Sequence, residues 1–315
     1  MNAFNRCLSA GLLSGLLTIA AFASPNRVAS STPTLYQRSP ASLGTLIVST
    51  EPNAIVWLDE IRRGTTDTTG KLSLKVLPGR HNLRVRANGF KEATSAVLPA
   101  RRGNIVIKLV ATKDPAELTF QQAETAREAA RDAASKQQAA DLYRSAIELR
   151  PAFPAAHLGL ARVLMDLGET PTALEEIEAA RRTRPNYPEA SAVEGRIHRE
   201  NASNEQAIAS FRRAIREGRG FQPEAHVGLA RIWEEKGQYD DAATEYELAL
   251  KQLSESEPVI YQLLGAVYEK LQKPKEAVRV YEKYLEIAPN GSYASAIRSI
   301  IDQLRREAAG QQLLP

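Results

Sequence analysis

One spacing constrains this chain more than any other feature. Ala139, Ala173 and Ala207 stand 34 residues apart, and Ala242 and Ala277 follow at intervals of 35. Seven positions after each come Ala146, Ala180, Ala214, Ala249 and Tyr284. Four positions after each come Tyr143, Ile177, Phe211, Tyr246 and Tyr281. Within a unit the apolar period is that of a helix, and Pro151, Pro185 and Pro289 stop the second helix of their units. The small alanines let paired helices approach closely, and the aromatic or branched residue fills the space beside them. A unit of two helices cannot bury its apolar face alone, so such units must stack. The second half of the chain is therefore expected to be an all-α solenoid.

This pattern resembles the tetratricopeptide repeat over residues 120–291, in five helix-turn-helix units. Leu160-Ala161, Leu229-Ala230 and Leu264-Gly265 occupy the family's Leu-(Gly/Ala) step, and Gly168 and Gly237 occupy its interhelical turn. Unit one departs most, with Arg127 where a small residue is usual and no turn glycine. Units three and four carry an extra residue near Gly218–Gln222 and Leu253–Glu257. An amphipathic segment from Tyr293 to Glu307, with Ile297, Ile300, Ile301 and Leu304 on one face, is expected to cap the open end within residues 292–309. The resemblance implies a concave groove lined by the first helices and a role in protein–protein interaction.

Ahead of the repeats the apolar period is two. Thr45–Ser49, Ala54–Leu58, Leu72–Val76 and Ile105–Leu109 read as strands, separated by turn signals at Pro52-Asn53, Thr69-Gly70, Pro78-Gly79, Asn88-Gly89 and Gly103-Asn104. Six or seven short strands over residues 44–112 predict a small antiparallel β-sandwich. The run Gly44-x-Leu46-x-Val48-x-Thr50, then Pro52-Asn53-Ala54-x-Val56-Trp57-Leu58-Asp59, Gly64-Thr65, Leu77-Pro78-Gly79-x-His81-x-Leu83-x-Val85 and Gly89-Phe90 resembles the PEGA domain. The stretch from Thr68 through Gly79 is equally similar to a carboxypeptidase-regulatory-like domain. Both are compact β-sandwiches.

Residues 1–23 read as an export signal. Arg6 precedes an uncharged stretch centred on Leu12, Leu13, Leu16, Leu17 and Ile19, and Ala21-Phe22-Ala23 offers a cleavage site before Ser24. An uncleaved anchor is the alternative. Cys7, the single cysteine, precedes the apolar centre, so a mature chain from Ser24 has none, which suits an oxidising compartment. The expected location is periplasmic or extracellular, with envelope association the variant. Residues 24–43, rich in Ser, Thr, Pro and Ala, read as a flexible linker.

The near-neutral total, a net charge of +4, conceals two opposite halves. Residues 44–113 hold 12 basic and 5 acidic side chains, against 26 and 32 in residues 114–315. Catalytic signals are lacking. Gly64 to Lys71 mimics a phosphate loop but has five residues between its glycines where four are needed, and Leu72 replaces the hydroxyl residue. His81, His157, His198 and His226 show no metal-ligand spacing. His157 and His226 hold the same place in their units, where they read as packing. The sequence therefore predicts a non-enzymatic scaffold or adaptor with no cofactor, no metal and no nucleic-acid partner.

Two groups of residues are candidate binding sites. Arg162, Arg196 and Arg231 take the ninth position of their units, with Arg199 one turn on from Arg196. The family resemblance points that position into the groove, where guanidinium groups would hold the carboxylates of an acidic peptide segment. Asp166, Glu200 and Glu235 lie four residues after the three arginines, within reach of intrahelical pairing. In the β module, Arg80, Arg84 and Arg86 alternate along one strand and Lys71 and Lys75 along the preceding one. A turn at Pro78-Gly79 would fold the two into a hairpin with a basic outer face for an anionic wall polymer or membrane surface. A solvated sheet face is the plainer alternative.

Overall fold

The structure, a computed structural model, describes residues 44–59, 61–76, 81–98, 103–253 and 256–311. The expected leader, the linker, the Pro78-Gly79 turn and Arg80 lie outside the described residues. No described helix is long and apolar enough to cross a membrane.

Nine strands build the N-terminal module: β1 (Gly44–Ser49), β2 (Ile55–Leu58), β3 (Ile61–Thr65), β4 (Lys71–Val76), β5 (His81–Arg86), β6 (Phe90–Lys91), β7 (Ala93–Val97), β8 (Gly103–Val106) and β9 (Val110–Ala111). They form a sheet of order β4-β1-β8, a sheet of order β3-β2-β5-β7 and a β6-β9 pair. Pairing is antiparallel except between β1 and β8. The alternation read from the sequence is the packing rule here. Leu46, Val48, Leu74, Val56, Leu83 and Val85 point inward from the two larger sheets and close one apolar core. Gly70, at φ +75°, lies so close to β1's exit that a Cβ would stand 2.0 Å from the Thr50 carbonyl oxygen.

The structure corrects the proposed basic hairpin. β4 pairs with β1 (Ser73 opposite Ile47) and β5 pairs with β2 and β7, so Lys71 and Lys75 belong to a different sheet from Arg84 and Arg86. Within each strand the expected alternation holds. Which strands pair is decided by how the apolar faces close the core, and strand periodicity does not carry that.

Eleven described helices follow: α1 (Pro115–Ala129), α2 (Ala133–Leu149), α3 (Pro154–Asp166), α4 (Thr170–Thr183), α5 (Pro188–Glu200), α6 (Asn204–Glu217), α7 (Pro223–Glu235), α8 (Tyr239–Gln252), α9 (Pro258–Lys270), α10 (Pro274–Ile287) and α11 (Ala294–Gln311). Proline stands in the first turn of α1, α3, α4, α5, α7, α9 and α10, where its fixed φ suits helix entry and its missing N–H is no loss. Gly168 and Gly237 take positive φ in their interhelical turns. Ala202 and Gln272 take the same left-handed conformation in units three and five, so the turn survives without glycine at some strain.

The aromatic positions are fully buried: Tyr143, Phe211 and Tyr246 are each 0% exposed. Helix approach around them is close enough that a Cβ on Gly159 would sit 2.3 Å from the Tyr143 ring, and one on Gly228 would sit 2.2 Å from the Phe211 ring. α11 buries Ile297, Ile301 and Leu304 and covers the last unit. It ends the stack as a capping helix does.

Candidate functional site

The first helix of each unit faces the concave side, and its ninth position carries the arginines. Arg162 on α3, Arg196 and Arg199 on α5 and Arg231 on α7 all line one cavity of about 870 Å³. Its opposite wall is the β-module. Trp57 of β2, Arg84 of β5 and Thr94 of β7 are register partners across the four-stranded sheet, and all three line the same cavity. The groove is thus a chamber with a helical wall and a sheet wall.

The charges of the two modules explain the docking. Arg86, 6% exposed, donates from Nη1 to Glu124 Oε2 of α1 at 3.1 Å, and its guanidinium lies 5.1 Å from the Phe120 ring centroid. Glu124 also accepts from the Tyr143 hydroxyl and from Arg127 Nη2. Burial pushes the Glu124 carboxyl up, but the charges of Arg127 and Arg86 outweigh it and hold the group at about 2. Tyr143 is pushed up by burial and by the Glu124 charge, so it stays a hydroxyl donor. Gln121 completes the contact, accepting from the Gly89 N–H at 3.0 Å and donating to the Phe90 carbonyl at 2.7 Å.

A second contact comes from β3. Arg62 Nη1 donates to Glu128 Oε2 of α1 at 2.5 Å. Its neighbour Arg63 reaches the far end of the array, donating to Ser256 Oγ at 2.6 Å, to Glu257 Oε1 at 3.2 Å and to the Leu253 carbonyl at 3.4 Å. Ile61 packs against the apolar cluster of the last units. One five-residue strand therefore touches both unit one and the link between units four and five.

The expected intrahelical pairs of the arginine stripe do not form. Arg196 pairs with Glu224 on α7 at 3.4 Å, and Glu235 pairs with Arg199 at 3.8 Å rather than with Arg231. An arginine N-terminal to its acid is the weaker order for an i,i+4 pair, because it opposes the helix dipole, so carboxylates of the next unit compete well. Among the described residues Arg162 and Arg231 stand in no ion pair. Arg231 is exposed and Arg162 half-buried.

The β-module candidates separate. Arg84 stacks on Trp57 with its guanidinium 4.1 Å from the ring centroid and pairs with Glu92 at 3.1 Å. It and Arg86 face the helices, not an outer surface. Lys71 and Lys75 lie exposed on edge strand β4, where Lys75 Nζ donates to Thr45 Oγ1 at 2.9 Å.

The histidines at matching repeat positions are structural ties. His157 Nδ1 meets Glu176 Oε2 at 2.6 Å and His226 Nδ1 meets Glu245 Oε2 at 2.6 Å, each joining the two helices of its unit. The hydrogen bond to Glu176 raises the His157 pKa. Among the described residues no group of three or more His, Cys, Asp or Glu is placed to hold a metal ion.

Sequence reasoning missed the docking quartet of Arg86, Glu124, Arg127 and Tyr143. Two signals pointed to it, the opposite charge of the halves and the departure of Arg127 from the repeat pattern.

Residues 126–197, 193–258 and 258–290 each match a tetratricopeptide-repeat family. No curated protein matches the chain. Among solved structures, similar folds occur in a thermophilic tetratricopeptide-repeat protein of Thermus thermophilus (23% identity, 63% of this chain and 100% of that one, TM-score 0.47). They occur also in pilF of Pseudomonas aeruginosa (16%, 60% and 88%, 0.50) and in PilW, described as a widely conserved type IV pilus biogenesis factor (14%, 62% and 93%, 0.50). These likenesses concern the fold of the helical array.

Proposed function

Because residues 126–290 make this a tetratricopeptide-repeat protein, we propose that it is an exported, non-enzymatic scaffold that holds a segment of a partner protein on the concave face of its array. The observation that carries the reading is the convergence of Arg162, Arg196, Arg199 and Arg231 on one cavity, with Arg162 and Arg231 in no ion pair among the described residues. A carboxylate-bearing segment suits them, since charge-assisted hydrogen bonds to arginine are the strong kind. Export rests on the leader-like residues 1–23, and the β-module is taken as PEGA-like on its sequence pattern.

The alternative role, docking of a basic sheet face on an anionic wall polymer or membrane surface, loses Arg84 and Arg86 to contacts with Glu92 and Glu124. Among the described residues Lys71 and Lys75 alone support it. Affinity capture from envelope extract, with cross-links mapped by mass spectrometry, tests the main reading. A partner segment cross-linked beside α3, α5 and α7, and lost with R162Q/R196Q/R231Q, supports it. Capture unaffected by the triple substitution moves the site elsewhere.

A further inference from the structure

The β-module stands over the groove without filling it. It is held at unit one by Arg86 on the buried Glu124 and by Arg62 on Glu128, and at the link between units four and five by Arg63. The first of these contacts is the most enclosed, with Arg127 and Tyr143 also bonded to the Glu124 carboxylate. The volume left between the walls, about 870 Å³, falls in the range of sites that enclose a ligand, about 300–1,000 Å³. It is far too small for a folded domain.

The lining is chemically uneven. Most of its carboxylates are already engaged, Glu92 and Glu124 by arginines of the β-module, Glu189 by Arg184 and Glu224 by Arg196. Asp166 is exposed and stands in no ion pair among the described residues, one acid against the two such arginines, Arg162 and Arg231. One further atom of the lining, the Nε donor of Arg199, is buried without a hydrogen-bond partner. An open donor of this kind on α5 is what the C=O of a peptide backbone satisfies.

Resting on the scaffold reading above, we propose that the binding site is the chamber between the modules rather than the helical groove alone, and that it takes a short, extended acidic segment. Carboxylates of that segment meet Arg162 and Arg231. A backbone carbonyl of the segment meets Arg199 on α5, and its far side packs on the sheet face carrying Trp57. The β-module is then half of the receptor, and β3 is the bar under which the segment passes.

The test uses the full chain and a fluorescein-labelled oligoglutamate peptide as probe, read by anisotropy. R162Q/R231Q is expected to weaken binding by about tenfold or more. R62A/R63A, which loosens β3 while keeping the Arg86–Glu124 anchor, is expected to weaken it several-fold because the sheet wall shifts. In a Trp233→Phe background, where Trp57 is the remaining tryptophan, an unlabelled peptide is expected to change its fluorescence. Tighter binding by R62A/R63A overturns the proposal in favour of a lid that blocks the groove. Unchanged binding together with silent Trp57 fluorescence overturns it in favour of the solenoid acting alone. Indifference to R162Q/R231Q, or no binding by the wild type, removes the scaffold reading and this proposal with it. Circular dichroism of each variant separates lost binding from lost fold.

Discussion

Arg86 and Glu124 lie 38 positions apart in sequence, in modules of opposite charge, and meet at 3.1 Å with almost no solvent around them. The contact joins the modules, and its strength depends on the whole quartet. Arg127 and Tyr143 satisfy the remaining capacity of the Glu124 carboxylate, so no buried polar atom of that group is left unmatched. Removing one member strands the others. Glu124→Gln should therefore destabilise the chain by about 3–5 kcal/mol, the range for breaking a buried pair from one side. Urea melts of the full chain check it, and a loss below about 1 kcal/mol would place the quartet among ordinary surface pairs.

The same carboxylate sets an acid limit. Its folded pKa of about 2 lies below the unfolded carboxylate value of about 4.3. The stabilisation is thus complete above the unfolded value and is lost as pH falls through that window toward 2. Wild type should lose stability on acidification from about pH 4.3 downward more steeply than Glu124→Gln, which lacks the titrating group. Parallel stability–pH curves for the two proteins over that window would refute the assignment.

His157 gives dependence of the opposite sign. Its pKa is raised by the hydrogen bond to Glu176, so its contribution is whole below the unfolded value of about 6.5 and is lost as pH rises through the folded one. Against His157→Gln, the wild type should hold its largest advantage at mildly acid pH and a smaller one above neutrality. Melting temperatures measured across that range decide it, and an advantage that grows with pH would contradict the tie between α3 and α4.

Packing around the repeat aromatics is tight in both directions. Phe211→Ala should cost about 3–5 kcal/mol, because the ring is fully enclosed and its site cannot collapse easily. Gly228→Ala should cost about 1–3 kcal/mol by overpacking the same ring from the opposite helix. The double variant should be less destabilised than the sum, since the alanine methyl enters space vacated by the ring. Additive losses in chemical denaturation would mean that the two positions do not share that space.

The repeat array was legible because its signal is redundant. Ala139 to Ala277 repeat one packing requirement five times, and α1 to α10 follow it. Strands β1, β2, β4 and β5 were legible through alternation such as that of Leu83 and Val85 with Asn82 and Arg84, whereas Gly103-Asn104, expected as a turn, opens β8 and the short strands β3, β6, β7 and β9 carry no such signal. What the sequence hid were single events between distant residues. Nothing local says that β4 pairs with β1, or that Arg84 and Arg86 turn toward helices. The departures from the repeat were the informative places. Arg127 belongs to the docking quartet, and the extra residue near Leu253–Glu257 lies in the loop that receives Arg63. The other insertion, near Gly218–Gln222, is stitched to the next loop by Gln252, which accepts from the Gln222 N–H and donates to the Gly220 carbonyl.

Without its β-module the array should lose unit one and keep the rest. In a fragment of residues 114–315, units two to five keep their interfaces, and α11 still covers Ile297, Ile301 and Leu304 against the final unit. Stability in such arrays is a sum over neighbouring contacts, so these units should fold and melt cooperatively. Unit one should not fare as well. Glu124 keeps Arg127 and Tyr143 but loses Arg86, Gln121 loses its contacts with Gly89 and Phe90, and Phe120 loses the guanidinium beside its ring. Hydrogen exchange is therefore expected to be fast in α1 and slow from α3 through α10 in the fragment, yet slow in α1 of the full chain. Equal protection of α1 in both would show that the β-module adds nothing to unit one. A fragment unfolded by circular dichroism would show that the array cannot stand without it.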